Sequence, residues 1–203
     1  MKRHFTLLNG LFLFSFLVAA IPAHSQPARL PIRLSVFSES TSIPFVDGFI
    51  TRPIHPGVSL GTEWALKRLP KSRLIQGLSA GYYYHQSLTQ GFFLSTDIRY
   101  EVRLPLSLYA SLGVGVGYLH TFRTGNEFRL EDGQYVLKKD NGNSHAMLSL
   151  PLELGIRLGR NGLESSKLFV QYQPWVEYPF SPGFIPLMTH TNLVVGCTFF
   201  PFH

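Results

Sequence analysis

The stretch LSLYASLGVGVGYLH, residues 106–120, decides the fold. Its even positions, Leu106, Leu108, Ala110, Leu112, Val114, Val116 and Tyr118, are apolar. Its odd positions run Ser107, Tyr109, Ser111, Gly113, Gly115, Gly117 and Leu119. Successive side chains of a strand point to opposite faces, so this alternation separates an aliphatic face from a face of small residues. Three alternate glycines would each cost a helix about 1 kcal/mol, and a strand is the reading that remains.

The same two faces recur along the chain. Phe92, Leu94, Thr96, Ile98, Tyr100 and Val102 alternate with Phe93, Ser95, Asp97, Arg99, Glu101 and Arg103. Leu148, Leu150, Leu152, Leu154 and Ile156 alternate with Ser149, Pro151, Glu153, Gly155 and Arg157. Val58, Leu60, Thr62, Trp64 and Leu66 alternate with Ser59, Gly61, Glu63, Ala65 and Lys67. Residues 30–38, 74–86, 167–178 and 189–200 complete a set that points to an all-β chain, an eight-stranded antiparallel up-and-down barrel. In the longest connection, Phe128-Arg129-Leu130 and Tyr135-Val136-Leu137 flank the turn-like Glu131-Asp132-Gly133-Gln134, which predicts a further hairpin.

Outward from these strands, residues 1–25 read as a signal peptide. Lys2 and Arg3 precede a largely apolar run over 5–21, and Ala23-His24-Ser25 offers small residues for cleavage before Gln26. The barrel domain is then 26–203. Cys197 is the only cysteine, so no internal disulfide can form, and the residue directly after the expected cleavage point is Gln26 rather than a cysteine that could carry a lipid. A formal charge of +6 over the whole chain, with its basic residues scattered, does not point to nucleic acid. Charged residues make up 15% of the chain, against about 25% in an average soluble domain.

That scarcity of charge bears on which face is outside. A soluble secreted ligand-binding barrel keeps its large apolar residues inside and a charged face in water. Here the non-aliphatic face is mostly Gly, Ser and Ala with a few charges of both signs, which suits a narrow filled lumen, while the aliphatic face suits lipid. Beyond residue 25 there is no apolar run as long as the ~18 residues of a membrane helix, and the only other spanning structure is a closed barrel. Tyr82, Tyr84, Tyr118 and Tyr178 fall near one set of strand ends, and Trp64, Tyr100 and Phe199 near the other, as interfacial girdles do.

The signal peptide, the alternation and the Phe-rich last strand, 193–202, resemble the small outer-membrane β-barrel proteins of the OmpX/OmpA-like superfamily. The resemblance implies a monomer in the outer membrane of a Gram-negative bacterium, with outer-membrane lipid around it. It also implies termini in the periplasm, short periplasmic turns and longer outer loops; only the connection at 87–91 is tight for the outer side. Family members end on an aromatic residue, whereas here His203 follows Phe202.

An eight-stranded barrel is just wide enough to be filled by side chains, so a diffusion pore is not expected. The inward set Glu63, Asp97, Arg99, Glu101, Glu153, Arg157 and Glu177 is expected to pair across the lumen, as buried charges must. The histidines are the more unusual feature. His55, His85, His120, His145 and His190 all fall at or just beyond outer strand ends, and parity points His55, His85, His145 and His190 into the barrel mouth. Imidazoles converging there could hold a divalent transition metal such as Zn²⁺ or Cu²⁺, or form a cluster that repels on acidification. Alternatively each histidine sits at the interface as tyrosine does.

His85-Gln86-Ser87 is similar to the His-x-Ser of the outer-membrane lipid A deacylases. That resemblance implies an acyl hydrolase with His85 as base, Ser87 as nucleophile and Glu101 or Asp97 orienting the histidine. The chain departs from that pattern in having Leu88 where the family has Asn, in placing the motif early, and in pointing His85 inward. The glycine series at 113–117 opens no helix and is not a phosphate loop. No basic-aromatic groove suits nucleic acid. The functional expectation is therefore a non-enzymatic outer-membrane barrel that binds a ligand, a metal or a protein partner at its extracellular rim, where the 51–57 and 123–144 loops also lie.

Overall fold

The computed structural model describes residues 30–45, 54–86, 88–125, 128–131, 133–137, 140–159, 165–181 and 184–201. The expected signal peptide and Ser87 lie outside the described residues. The strands are β1 (Ile32–Ser40), β2 (His55–Arg68), β3 (Ser72–Tyr84), β4 (Thr89–Arg103), β5 (Leu108–Arg123), β6 (Phe128–Glu131), β7 (Gln134–Leu137), β8 (Asn143–Ser149), β9 (Leu152–Leu158), β10 (Ser166–Tyr178) and β11 (Met188–Phe199).

Nine of them form one antiparallel sheet in the order β11-β1-β2-β3-β4-β5-β8-β10-β9; the pairing of β10 with β11 closes it into a ring, and β9 pairs with β5 as well as with β10. β8 and β9 lie end to end, each between β5 and β10, and so make one stave. The barrel therefore has eight staves. The expected single strand through 148–156 is broken at Leu150 and Pro151 because proline has no N–H to give to the ladder. Gly113 N–H donates to the Pro151 carbonyl at 3.0 Å and Leu150 N–H to that of Pro174 at 2.9 Å, which carries the pairing across the gap. β6 and β7 pair from Phe128↔Leu137 to Glu131↔Gln134, the hairpin expected in the long outer connection.

Two expected alternations end early. Leu106 and Ser107 have φ of 59° and 63° and belong to the turn before β5, so the strand begins at Leu108. In β2 a bulge between Ala65 and Lys67 shifts the register by one residue, and Lys67 moves off the lumen face to an exposed position. One extra residue reverses every side chain beyond it.

The aliphatic face is outside. Val36, Leu60, Leu112, Val114, Leu154 and Val195 are all exposed, Val36 by 60% and Leu112 by 58%. An exterior this apolar, wrapped around a buried polar interior, is ordered for lipid rather than water. The staves are long enough to cross a bilayer, from the nine residues of β1 to the sixteen of β5, since about 9–11 suffice for a tilted strand. The links at 69–71, 104–107 and 159–165 lie at the end that holds Ile32 and Phe199. Those at 41–54, 85–88, 124–142 and 179–187 lie at the other, called the outer end below.

Two layers fill the lumen below the outer mouth. Near the inner end, five cations (Arg33, Arg73, Arg99, Arg157 and Lys167) interlock with four carboxylates (Glu63, Asp97, Glu101 and Glu153). Arg99 alone reaches Glu63 at 3.0 Å, Glu153 at 3.0 Å and Asp97 at 2.6 Å. Arg73 holds Glu101 with two bonds of 2.8 Å, and Arg157 and Lys167 close on Glu101 and Glu63 respectively. Glu153 also accepts from the Tyr109 hydroxyl at 2.7 Å. Above this network Phe37, Tyr83, Phe169, Trp175, Leu119, Met147 and Val194 form an apolar collar.

The small residues of the lumen face make room for both layers. A Cβ on Gly113 would sit 2.4 Å from Arg99 Cγ and 2.6 Å from the Ile98 carbonyl, so the strand that decides the fold is glycine-rich where the neighbouring arginine lies across it. Gly81 stands in the same relation to the Phe93 ring, at 2.4 Å.

Breaking a buried ion pair by removing one partner strands the other charge, at a cost of about 3–5 kcal/mol. Arg99→Met, which keeps the length of the side chain, is expected to lower barrel stability by at least that amount. Urea unfolding of the refolded protein in lipid vesicles, followed by loss of the heat-modifiable band, measures it.

Candidate functional site

The outer mouth is built from the ends of five staves and one turn. Glu39 comes from the end of β1, His55 from the start of β2, and His85 from the turn after β3. His145 lies near the start of β8, Glu177 near the end of β10 and His190 near the start of β11. Local chemistry explains the turn: His85 N–H donates to the Thr89 carbonyl at 3.0 Å, which closes the tight 85–88 link and holds the ring over the lumen.

All four histidines assigned by parity to the mouth are buried there: His55, His85, His145 and His190. His120 points to the other face, where Tyr118 and Ser144 lie 3.2 and 3.3 Å from its Nδ1.

The four rings do not converge on one point but divide around two carboxylates. His55 and His85 stack with centroids 3.4 Å apart, beside Glu39. His145 Nδ1 lies 2.8 Å from Glu177 Oε1 and 2.6 Å from the Pro179 carbonyl. His190 bridges the two groups, with Nδ1 2.8 Å from Glu39 Oε1 and Nε2 3.3 Å from Glu177 Oε2. Its ring lies flat on Trp175 at 4.0 Å, which ties the mouth to the collar. Burial pushes the His85 imidazole below its ordinary pKa, against the pull of Glu39, and so favours the neutral ring.

Glu177, expected among the inward charges, belongs to this mouth rather than to the inner network. Glu39, Arg33, Arg73 and Lys167 were not singled out from the sequence, although Glu39, Arg73 and Lys167 are buried in the lumen and Arg33 pairs there with Glu63 and Glu153. Their signal lay in β1, where Arg33, Ser35, Phe37 and Glu39 alternate with Ile32, Leu34, Val36 and Ser38, and at the ends of β3 and β10.

The arrangement does not supply the orienting acid imagined for His85. Glu101 pairs with Arg73 at the inner end of the β3–β4 ladder, while Tyr84↔Gln90 marks its outer end. Asp97 is held by Arg99 in the same inner network. The carboxylate near His85 is Glu39.

Next to the histidines the mouth opens into a cavity of about 210 Å³ bordered by Glu39, Tyr83, His85, Arg123, Phe180 and His190. Lower down, a void of about 40 Å³ lies between the collar and the inner network.

A closed ring of eight staves with an aliphatic exterior and a filled lumen is the architecture of the small outer-membrane β-barrels. Among solved structures, Neisserial surface protein A (NspA) is similar at 11% identity, covering 85% of this chain and 97% of that one, with a TM-score of 0.52. The outer membrane enzyme PagL is similar at 11% identity over 83% and 98%, with a TM-score of 0.47. Ail, the attachment invasion locus protein of Yersinia pestis, is similar at 14% identity over 83% and 94%, with a TM-score of 0.40. Neither a family model nor a curated protein matches the sequence. The likeness to NspA shows the fold. The outer-membrane localisation expected from the sequence agrees with it and with the apolar exterior.

Glu177 is shared by two buried histidines, and neutralising it leaves both with a weaker acceptor. Glu177→Gln is expected to destabilise the barrel by about 1–3 kcal/mol, less than loss of Arg99, because the amide still offers one carbonyl oxygen. The same urea titration compares the two variants.

Proposed function

We propose that this protein is a non-enzymatic, non-conducting outer-membrane barrel that works as a receptor, taking a small polar ligand or ion into its outer mouth. The observation that carries this reading is the contrast between the two ends of the lumen. The inner end is packed with interlocked ion pairs and capped by aromatic rings, with room between the layers for only a few water molecules. The outer end holds unshared polar groups beside a cavity open to the outside. A solute can enter from outside and has no route through.

The lipid A hydrolase reading has less support. It needs an acid to orient His85 on a lipid-facing surface, whereas His85 is buried inside the mouth and Glu101 and Asp97 are committed elsewhere. A soluble secreted barrel conflicts with the exposed aliphatic belt. Export by the signal peptide at 1–25, with release of residues 26–203 to the outer membrane as a monomer, is part of the proposal.

Purified protein in planar bilayers is expected to give no discrete conductance steps, and lipid A incubated with it is expected to keep all its acyl chains. A steady channel in the wild-type protein would overturn the closed-lumen reading. Deacylation that is lost in Ser87→Ala would overturn the non-enzymatic one.

A further inference from the structure

We propose that Glu39, His55 and His85 form a binding site for one divalent transition-metal ion, Zn²⁺ or Cu²⁺, in the outer mouth. The proposal rests on the receptor reading above and names its ligand class. Each of the three side chains offers a ligand atom, these atoms all lie within 4.8 Å of one another, and all three residues are buried.

The hydrogen bonds around the cluster leave one ligand atom bare on His55 and one on Glu39. His55 Nδ1–H donates to the Glu39 main-chain carbonyl at 3.1 Å, so the lone pair of that ring belongs to Nε2. Nε2 is buried and has no hydrogen-bond partner. On Glu39, Oε1 is occupied by His190 Nδ1 at 2.8 Å, while Oε2 is buried and has no hydrogen-bond partner. Two buried, unpartnered acceptors beside a third donor-bearing ring are costly unless something electropositive fills the space.

The spacing suits such an ion. Bonds of about 2.0–2.1 Å in a tetrahedral zinc site put neighbouring ligand atoms about 3.3 Å apart. The ligand atoms of Glu39, His55 and His85 lie within 4.8 Å of one another, so modest side-chain rotations that also unstack the His55 and His85 rings bring them to that distance. Two imidazoles and one carboxylate leave a fourth position open toward the cavity, and this nitrogen-rich set favours Cu²⁺ and Zn²⁺ over Mg²⁺ or Ca²⁺.

The remaining members of the mouth then have a different role. His190 fixes the Glu39 carboxylate and is itself fixed by Glu177 and by the Trp175 ring. His145 buttresses Glu177. Of the four histidines that the sequence pointed into the mouth, His55 and His85 are ligands, and His145 and His190 are positioning residues.

The test uses refolded, tag-free barrel. Isothermal titration with Zn²⁺ and Cu²⁺ should give one site per chain, and Co²⁺ should produce the visible d–d bands of a four-coordinate ion. His55→Ala and His85→Ala should each abolish the one-site isotherm and those bands while keeping heat-modifiable migration. His190→Gln should weaken binding by about 10- to 100-fold, as loss of an outer-shell partner does. His120→Ala, on the outer face, should change nothing. Failure of the wild-type protein to take up any of these ions would overturn the site. So would binding that survives in both His55→Ala and His85→Ala, which would mark adventitious uptake elsewhere. Either result would leave the closed-lumen behaviour in bilayers untouched, so a failed metal site and a failed receptor reading are told apart.

Discussion

Closure of the sheet between β1 and β11 is the constraint on which everything else in this molecule depends. In hydrocarbon no water is available for the main-chain N–H and C=O groups, and each must find its partner on a neighbouring strand. The register from Ile32↔Phe199 to Ser40↔Thr191 supplies those partners at the seam. Once the ring is shut the period-two alternation acquires an absolute sense, with one face toward lipid and the other enclosed. Even the break at Pro151 is bridged by neighbouring main-chain bonds.

Enclosure then dictates the chemistry of the lumen. A ring of eight staves leaves little width, and large side chains fit only where the facing strand is cut back to glycine. Arg99 against Gly113 and Phe93 against Gly81 are the clearest cases. Charges placed in so narrow and dry a space must be matched, and the inner network matches them with shared carboxylates rather than isolated pairs. Glu63 alone meets Arg33, Arg73, Arg99 and Lys167. Such a network adds a unique interior arrangement to the barrel at the cost of desolvating its members.

The mouth departs from this economy. At the inner end a charged atom without a hydrogen bond, Arg33 Nη1, still faces the Glu63 carboxylate at 3.7 Å, whereas at the outer end Glu39 Oε2 and His55 Nε2 are buried beside a cavity without a hydrogen-bond partner. Departures of this kind from complete satisfaction are where function is expected, because a site that is already satisfied has nothing to offer a ligand. The stack of His190 on Trp175 makes the collar the floor of the mouth, so the plug and the mouth are one packed body.

Period-two alternation is a local property of the chain. The barrel, its lipid face, the hairpin in the long loop and the inward aim of His55, His85, His145 and His190 were therefore legible in the sequence alone. The bulge at Ala65–Lys67 was not, because a one-residue slip leaves composition and periodicity nearly unchanged. Nor did the sequence show that Glu177 serves the mouth while Glu63, Glu101 and Glu153 serve the plug. That division depends on height along the barrel, which the stagger between distant strands sets. Glu39 and His190 are 151 positions apart in sequence and 2.8 Å apart in the mouth. Parity determined which side chains point inward, and only the closed ring decided which of them meet.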